Sequence, residues 1–169
     1  CIPNMVVMSP KDENEFQRLL LTAIEHPGPA AVRFPRGAGE GVAMDEEVQP
    51  LPIGQAELLR EGEDVALIAL GPMVGLALES AAQLAELRIR AAVLNLRFVK
   101  PLDEARVLGL ARQCGRVVTI EEGCLMGGMG SAVLELLAAK GLTGVRVRSL
   151  GLPDRFIEHG APRLQSEHC

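Results

Sequence analysis

From about residue 53 onward the chain alternates apolar, β-branched runs with amphipathic segments, and this alternation restricts the fold more than anything else in its 169 residues. "PMVGLALESAAQLAEL", "LDEARVLGLARQC" and "SAVLELLAAKG" carry helical spacing, and between and after them stand the strand-like "AAVLNLRF", "RVVTIEE" and "GVRVRSLGL". Helices between such strands imply right-handed crossovers and a mainly parallel sheet covered on both faces. Ahead of them, "QAELLREGEDVALIAL" reads as two strands joined by a tight turn at Glu61 to Glu63, hence antiparallel neighbours. The expectation is a three-layer α/β domain with a mainly parallel five-stranded sheet, one strand running antiparallel.

A smaller pattern precedes it. "MVVMSP" reads as a short strand and "PAAVRFP" as another, with the amphipathic helix "DENEFQRLLLTAIEH" between them. Asp12 is the expected N-cap with Glu15 three residues on, and Phe16, Leu19, Leu20, Ala23 and Ile24 form the apolar stripe. This is one βαβ unit, too small to fold alone. From Gly37 to Pro52 the periodicity lapses into glycine, proline and acid, the composition of a linker. The expected organisation is a first unit over 1–40, a linker over 41–52 and a second domain over 53–169.

Composition excludes several classes of function. A net charge of -5 with no lysine- or arginine-rich run argues against nucleic acid or an anionic membrane as partner, and the absence of Trp and Tyr removes base-stacking platforms. The four cysteines, Cys1, Cys114, Cys124 and Cys169, have neither zinc-site spacing nor the density of a disulfide scaffold, and read as reduced thiols of a cytoplasmic protein. No apolar run is long enough to span a bilayer. The chain opens on "CIPNMVV" without an initiator Met and is read as a piece of something longer.

"EEGCLMGGMGSAV", with Gly127, Gly128 and Gly130 between a strand and a helix, has the layout of a phosphate cradle. Arg146 and Arg148 stand near the position where a dinucleotide fold contacts a 2′-phosphate. Against this, Glu121 and Glu122 would repel a pyrophosphate, Val133 replaces the third fingerprint glycine, and no Gly-Lys-Ser/Thr is present. The loop is therefore read as a close approach of helix to sheet or to a partner subunit. Arg33 and Arg36 flank Pro35 at a strand end, where a guanidinium can grip a phosphate or carboxylate or join an inter-domain salt bridge. Arg97 and Lys100 occupy a second strand end, and Asp103 is read as a helix cap. His159 lacks a nucleophile for a triad, and Met126 and Met129 are read as packing residues.

Taken together, "CIPNMVVMSPKDENE", "GPAAVRFPRG", "LPIG", "LNLRFVKPLD", "VVTIEEGCLMGGMGSAV" and "LGLPDRFIEHG" resemble, in order, the C-terminal part of the thiamine-diphosphate-dependent transketolase family. The likeness is to the branch that condenses pyruvate with glyceraldehyde 3-phosphate, with loss of carbon dioxide, for isoprenoid and thiamine precursor synthesis. It implies that residues 1–40 are the end of a pyrimidine-binding domain and 53–169 the transketolase C-terminal domain. It also implies thiamine diphosphate and magnesium as cofactors of a full-length homodimer, with the magnesium ligands and catalytic residues before Cys1. No cofactor or metal is expected on this chain alone, and no catalytic residue within it. Arg36 resembles the arginine that binds the aldehyde's phosphate; Phe34 stands where relatives often carry tyrosine. The alternative is a non-catalytic module for dimerisation or partner binding, as in 2-oxoacid dehydrogenase β subunits.

Overall fold

A computed structural model describes residues 2–156. Its elements run β1 (Val6–Met8), α1 (Glu13–Glu25), β2 (Ala30–Val32), β3 (Glu57–Arg60), β4 (Val65–Ala69), α2 (Met73–Glu86), β5 (Ala91–Asn95), β6 (Phe98–Lys100), α3 (Glu104–Cys114), β7 (Arg116–Cys124), α4 (Met129–Ala139) and β8 (Arg146–Leu152). The larger sheet has the order β3-β5-β4-β7-β8, with β3 antiparallel to β5 and the other pairings parallel.

The period-two geometry of strands explains the layers. On β4 and β5, Ala66, Ile68, Ala92 and Leu94 face α3 and α4, packing with Val107, Ala111, Val133 and Leu137. The alternate residues Leu67, Ala69, Ala91 and Val93 face α2 and its Val74, Ala77 and Ala81. A five-stranded sheet lies between helices on both sides, as the alternation of the sequence predicts.

The antiparallel strand has a different partner from the expected one. β3 and β4 are not neighbours; β5 lies between them. β4 is apolar and buried on both faces, which suits a central position, whereas β3 carries Glu57 and Arg60 and is half-buried along its length, which suits an edge. The connection crosses the start of β5 so closely that a Cβ on Gly62 would lie 2.3 Å from backbone atoms of Ala91 and Ala92. Gly62 thus permits a crossing, not a hairpin turn.

The first unit is completed by residues from outside it. β1 and β2 are parallel and flank α1 in sequence, as expected of a βαβ unit. "AAVLNLRF" is not one strand: it ends at Asn95, and Phe98–Lys100 crosses to pair antiparallel with β1. The small sheet is therefore β2-β1-β6. Its core joins Val6, Met8 and Leu19 to Phe98 from β6 and Leu51 from the linker. Phe98 is fully buried, and burial of a side chain of that size contributes about 1.5–3 kcal/mol. The buried face of α1 is Glu15, Leu19 and Thr22, with Ala23 half-buried; Leu20 and Ile24, expected in the stripe, are exposed.

The segment after Gly37 does not behave as a free linker. It runs along α1 and is bonded to it from end to end. Asn14 and Gln17 reach Asp45, Arg18 Nε donates to the Gln49 carbonyl at 3.2 Å, and Thr22 exchanges hydrogen bonds with the Leu51 backbone. These side chains fall on adjacent turns of one helix face.

Candidate functional site

The glycine loop is occupied by the chain's own acid. Glu121, 6% exposed, accepts from the backbone N–H of Met129 and of Gly130, both at 2.8 Å. These are first-turn donors of α4, whose N-cap Gly128 offers no side-chain bond. The carboxylate thus sits where a phosphate would sit, with the same complementarity to the helix dipole. The glycines make room for it: a Cβ on Gly128 would lie 2.5–2.6 Å from the carboxylate oxygens. At Gly130 a Cβ would come within 2.8 Å of Thr119 Oγ1 and 2.7 Å of Ser149 Oγ. The loop lets the helix start close against the sheet, and Glu121 removes it from the candidates for a ligand.

A cleft of ≈ 170 Å³ opens at the N-terminal end of α1. Phe16, Phe34, Pro35 and Pro72 make its apolar wall, and Lys11, Asp12 and Glu13 its polar one. The Phe16 and Phe34 rings meet at 4.8 Å, tilted by 56°. Lys11 Nζ lies 2.9 Å from Asp12 and 3.8 Å from Glu15, so its charge is already compensated. Glu13 accepts from three successive backbone amides, Glu40 (3.1 Å), Gly41 (2.6 Å) and Val42 (3.0 Å), and hangs the far side of the cleft on the helix. Its own amide, and less strongly those of Gly41, Glu40 and Val42, holds the Glu13 carboxyl below its ordinary value, with desolvation opposing.

The two arginines of "AVRFPRG" separate. Arg33 lies 3.8 Å from the Glu122 carboxylate and donates to the Glu122 carbonyl at 3.4 Å, joining the two sheets. Arg36 is exposed, one residue from each of the lining residues Pro35 and Gly37. Among the described residues its guanidinium has no hydrogen bond or ion pair. The salt-bridge reading fits Arg33 and leaves Arg36 available.

Sequence reasoning missed a buried polar cluster behind the cleft. Arg97, left-handed at φ 58, places Nε 2.6 Å from Glu15 Oε1 and a terminal nitrogen 2.7 Å from Glu57 Oε2. Asn95 Nδ2 donates to both Glu15 oxygens at 2.9 and 3.1 Å. Glu15 Oε2 also accepts the Lys11 amide at 2.7 Å, while the Glu15 amide donates to Asp12, the helix cap. The signal was present: Arg97 interrupts an apolar run and Glu15 falls on the buried stripe of α1, and two charges in such settings need each other.

The other expectations divide. Asp103 caps α3 through the Arg106 amide at 3.0 Å and also accepts from Ala56. Lys100 donates to the Ile2 carbonyl. Met129 is core, but Met126 is 72% exposed. Cys114 and Cys124 are free thiols; burial, then Asp64, pushes Cys114 up. His159 lies outside the described residues. Among the described residues, no three His, Cys, Asp or Glu side chains converge as metal ligands, and no helix is long and apolar enough to cross a membrane. With Glu121 accepting its first-turn amides, the α4 N-terminus does not fit a diphosphate.

Known proteins bear on this geometry. Residues 1–40 match the family described as "Transketolase, pyrimidine binding domain" and residues 54–169 "Transketolase, C-terminal domain". The chain is 61% identical over 163 residues to 1-deoxy-D-xylulose-5-phosphate synthase of Desulforudis audaxviator, covering 96% of itself and 26% of that relative. With 1-deoxy-D-xylulose-5-phosphate synthase 1 of Geobacter sulfurreducens it shares 56% over 167 residues, 98% of itself and 26% of the relative. It thus spans about a quarter of the length of the curated relatives it matches. A solved structure described as "Split gene transketolase, inactive beta4 tetramer" superposes with a TM-score of 0.84 at 32% identity, over 99% of this chain and 54% of that one. Transketolase from Campylobacter jejuni, at 19% identity and a TM-score of 0.61, shares the fold. The extent of the C-terminal-domain match establishes that the chain belongs to the transketolase family.

Proposed function

We propose that the chain is the C-terminal part of a 1-deoxy-D-xylulose-5-phosphate synthase, which joins pyruvate to glyceraldehyde 3-phosphate and releases carbon dioxide. The observation that carries this reading is the 61% identity spread over 96% of the chain. On the same reading residues 1–40 end the pyrimidine-binding domain, 41–52 connect, and 53–169 form the C-terminal domain. The full protein is a cytoplasmic homodimer that uses thiamine diphosphate and magnesium. Both are held elsewhere in the enzyme, so the residues of this chain bind and orient the aldehyde and carry no step on the cofactor.

Arg36 is the residue assigned to the aldehyde's phosphate. Its support is an exposed guanidinium, without a partner among the described residues, between the cleft-lining Pro35 and Gly37 and close in sequence to an Arg33 that is already paired. A guanidinium can offer a phosphate two parallel donors, which a lysine cannot. Taken alone, the chain is inactive, a reading supported by its likeness to the structure described as "Split gene transketolase, inactive beta4 tetramer".

The test is turnover by the full-length protein given pyruvate, D-glyceraldehyde 3-phosphate, thiamine diphosphate and magnesium. Product and carbon dioxide in equal amounts are expected, with glyceraldehyde lacking the phosphate a far poorer acceptor. A folded, cofactor-loaded dimer that makes no product overturns the reading in favour of a non-catalytic module.

A further inference from the structure

We propose that Arg97 is a positioning residue: acting from the crossover between the two sheets through Glu15, it sets the α1 N-terminal turn that walls the cleft. Its kinetic consequence rests on the substrate reading above; its structural consequence does not.

Arg97 stands where the chain leaves β5 for β6, and its polar groups reach both units. Its carbonyl accepts from the Ser9 amide at 2.8 Å, one residue before the cleft-lining Pro10. Its guanidinium holds Glu57 of β3 with one nitrogen and Glu15 of α1 with another. Glu15 is 2% exposed and passes the constraint on by accepting the Lys11 amide and donating its own to Asp12. Lys11 and Asp12 line the cleft, as does Glu13, from which residues 40–42 are suspended. A shift of the Glu15 carboxylate therefore moves both sides of the cleft beside Arg36.

Stability alone is a poor reason for this arrangement. A buried ion pair gains little over apolar residues of similar volume, and Arg97 also holds a left-handed backbone that disfavours side chains. A planar fork binding two carboxylates on different elements fixes direction as well as distance.

The experiment uses the full-length protein with Arg97→Met and with Arg97→Met combined with Glu15→Gln. The single variant leaves the buried Glu15 with only Lys11, at 3.8 Å, for a cation and melts lower; the double variant removes both members of the close pair and regains most of the melting temperature. In the double variant the KM for glyceraldehyde 3-phosphate should stay raised by about one to two orders of magnitude, since a misplacement of about 1 Å from a distant change can cost about a hundredfold. The KM for pyruvate should stay at the wild-type value. Recovery of the aldehyde KM together with the melting temperature would overturn the proposal, leaving Arg97 a counterion only, and so would an equal rise in both KM values. If the wild-type protein makes no product, the substrate reading fails. Positioning is then read from amide exchange at Lys11 and residues 40–42 in the double variant. Faster exchange there than in wild type supports the proposal, and unchanged exchange sinks it.

Discussion

Replacing Glu121 by Gln tests whether an internal carboxylate has taken the place of a phosphate in the glycine loop. The wild-type side chain accepts two first-turn amides of α4 at 2.8 Å each and is nearly buried, so water cannot substitute for it. Gln keeps one accepting oxygen but turns an N–H₂ toward the other amide, losing one bond outright and the charge assistance of the second. Bonds to a charged group contribute about 1.5–3 kcal/mol each, so the change should cost about 2–4 kcal/mol. For a chain of this length about 1 kcal/mol corresponds to roughly 2–4 °C, giving a fall of about 4–16 °C in a thermal melt. The neighbouring Glu122→Gln is the control: Glu122 is 35% exposed and pairs with Arg33 only at 3.8 Å, so its loss should stay within about 0.5 kcal/mol. Urea unfolding monitored by circular dichroism supplies the free energies. Should Glu121→Gln prove as silent as the control, the carboxylate is not the cap of α4 and the loop returns to the list of candidate anion sites.

Three further outcomes follow from other parts of the chain. Arg36→Ala in the full-length enzyme should raise the KM for glyceraldehyde 3-phosphate by about one to two orders of magnitude with pyruvate unaffected, Arg36→Lys recovering part of the loss; steady-state kinetics decide, and an unchanged aldehyde KM with a lowered melting temperature refutes the assignment. Because the Glu13 carboxyl is lowered from 4.5, its hold on residues 40–42 should be complete above that pH and lost as pH falls through the lower folded value; protection of those amides by nuclear magnetic resonance should fall in acid in wild type but not in Glu13→Gln. The isolated chain should self-associate through exposed apolar residues such as Met126, Leu134 and Leu150, and sedimentation showing only monomer at high concentration would count against this.

The layers of the larger sheet were legible because they rest on local periodicity: alternate residues of β4 and β5 had to face helices, whichever strands they paired with. The pairing was not legible. A short Glu-Gly-Glu connection looks the same in sequence whether it turns a hairpin or passes over a neighbouring strand end, and the difference lies in the approach of Gly62 to Ala91 and Ala92. Nor did "AAVLNLRF" reveal its break, because the left-handed turn falls on Arg97 and not on a glycine. What the linker is bound to was not legible for a related reason. Its composition is that of a flexible tether, but the donors and acceptors that hold it belong to α1, at positions that local pattern counts as solvent-facing. At the site, the sequence already set the glycine loop aside and singled out Arg36, but not what engages the neighbouring groups: Glu121 at the loop and Glu122 at Arg33.

The sheet topology explains why the ligand-like features of the larger domain lead nowhere. An open α/β sheet takes its ligands at the carboxyl ends of strands where the winding reverses. Here that place lies between β4 and β7, since β4 leads through α2 to β5 on one side while β7 leads through α4 to β8 on the other. The crevice is filled by the chain itself. A Cβ on Gly71, just past β4, would lie 2.5 Å from Ser9 Oγ, and at the end of β7 Glu122 receives Arg33 while Glu121 turns back to cap α4. The larger domain has given its own ligand position to contact with the smaller unit. What this contact leaves open is a cleft at that unit's strand ends, bordered by the α1 N-terminus, the loop carrying Arg36 and Pro72 of the larger domain. On the proposed assignment of Arg36 a ligand for this part of the chain is met there, and the groups that shape the cleft are those that hold the two units together.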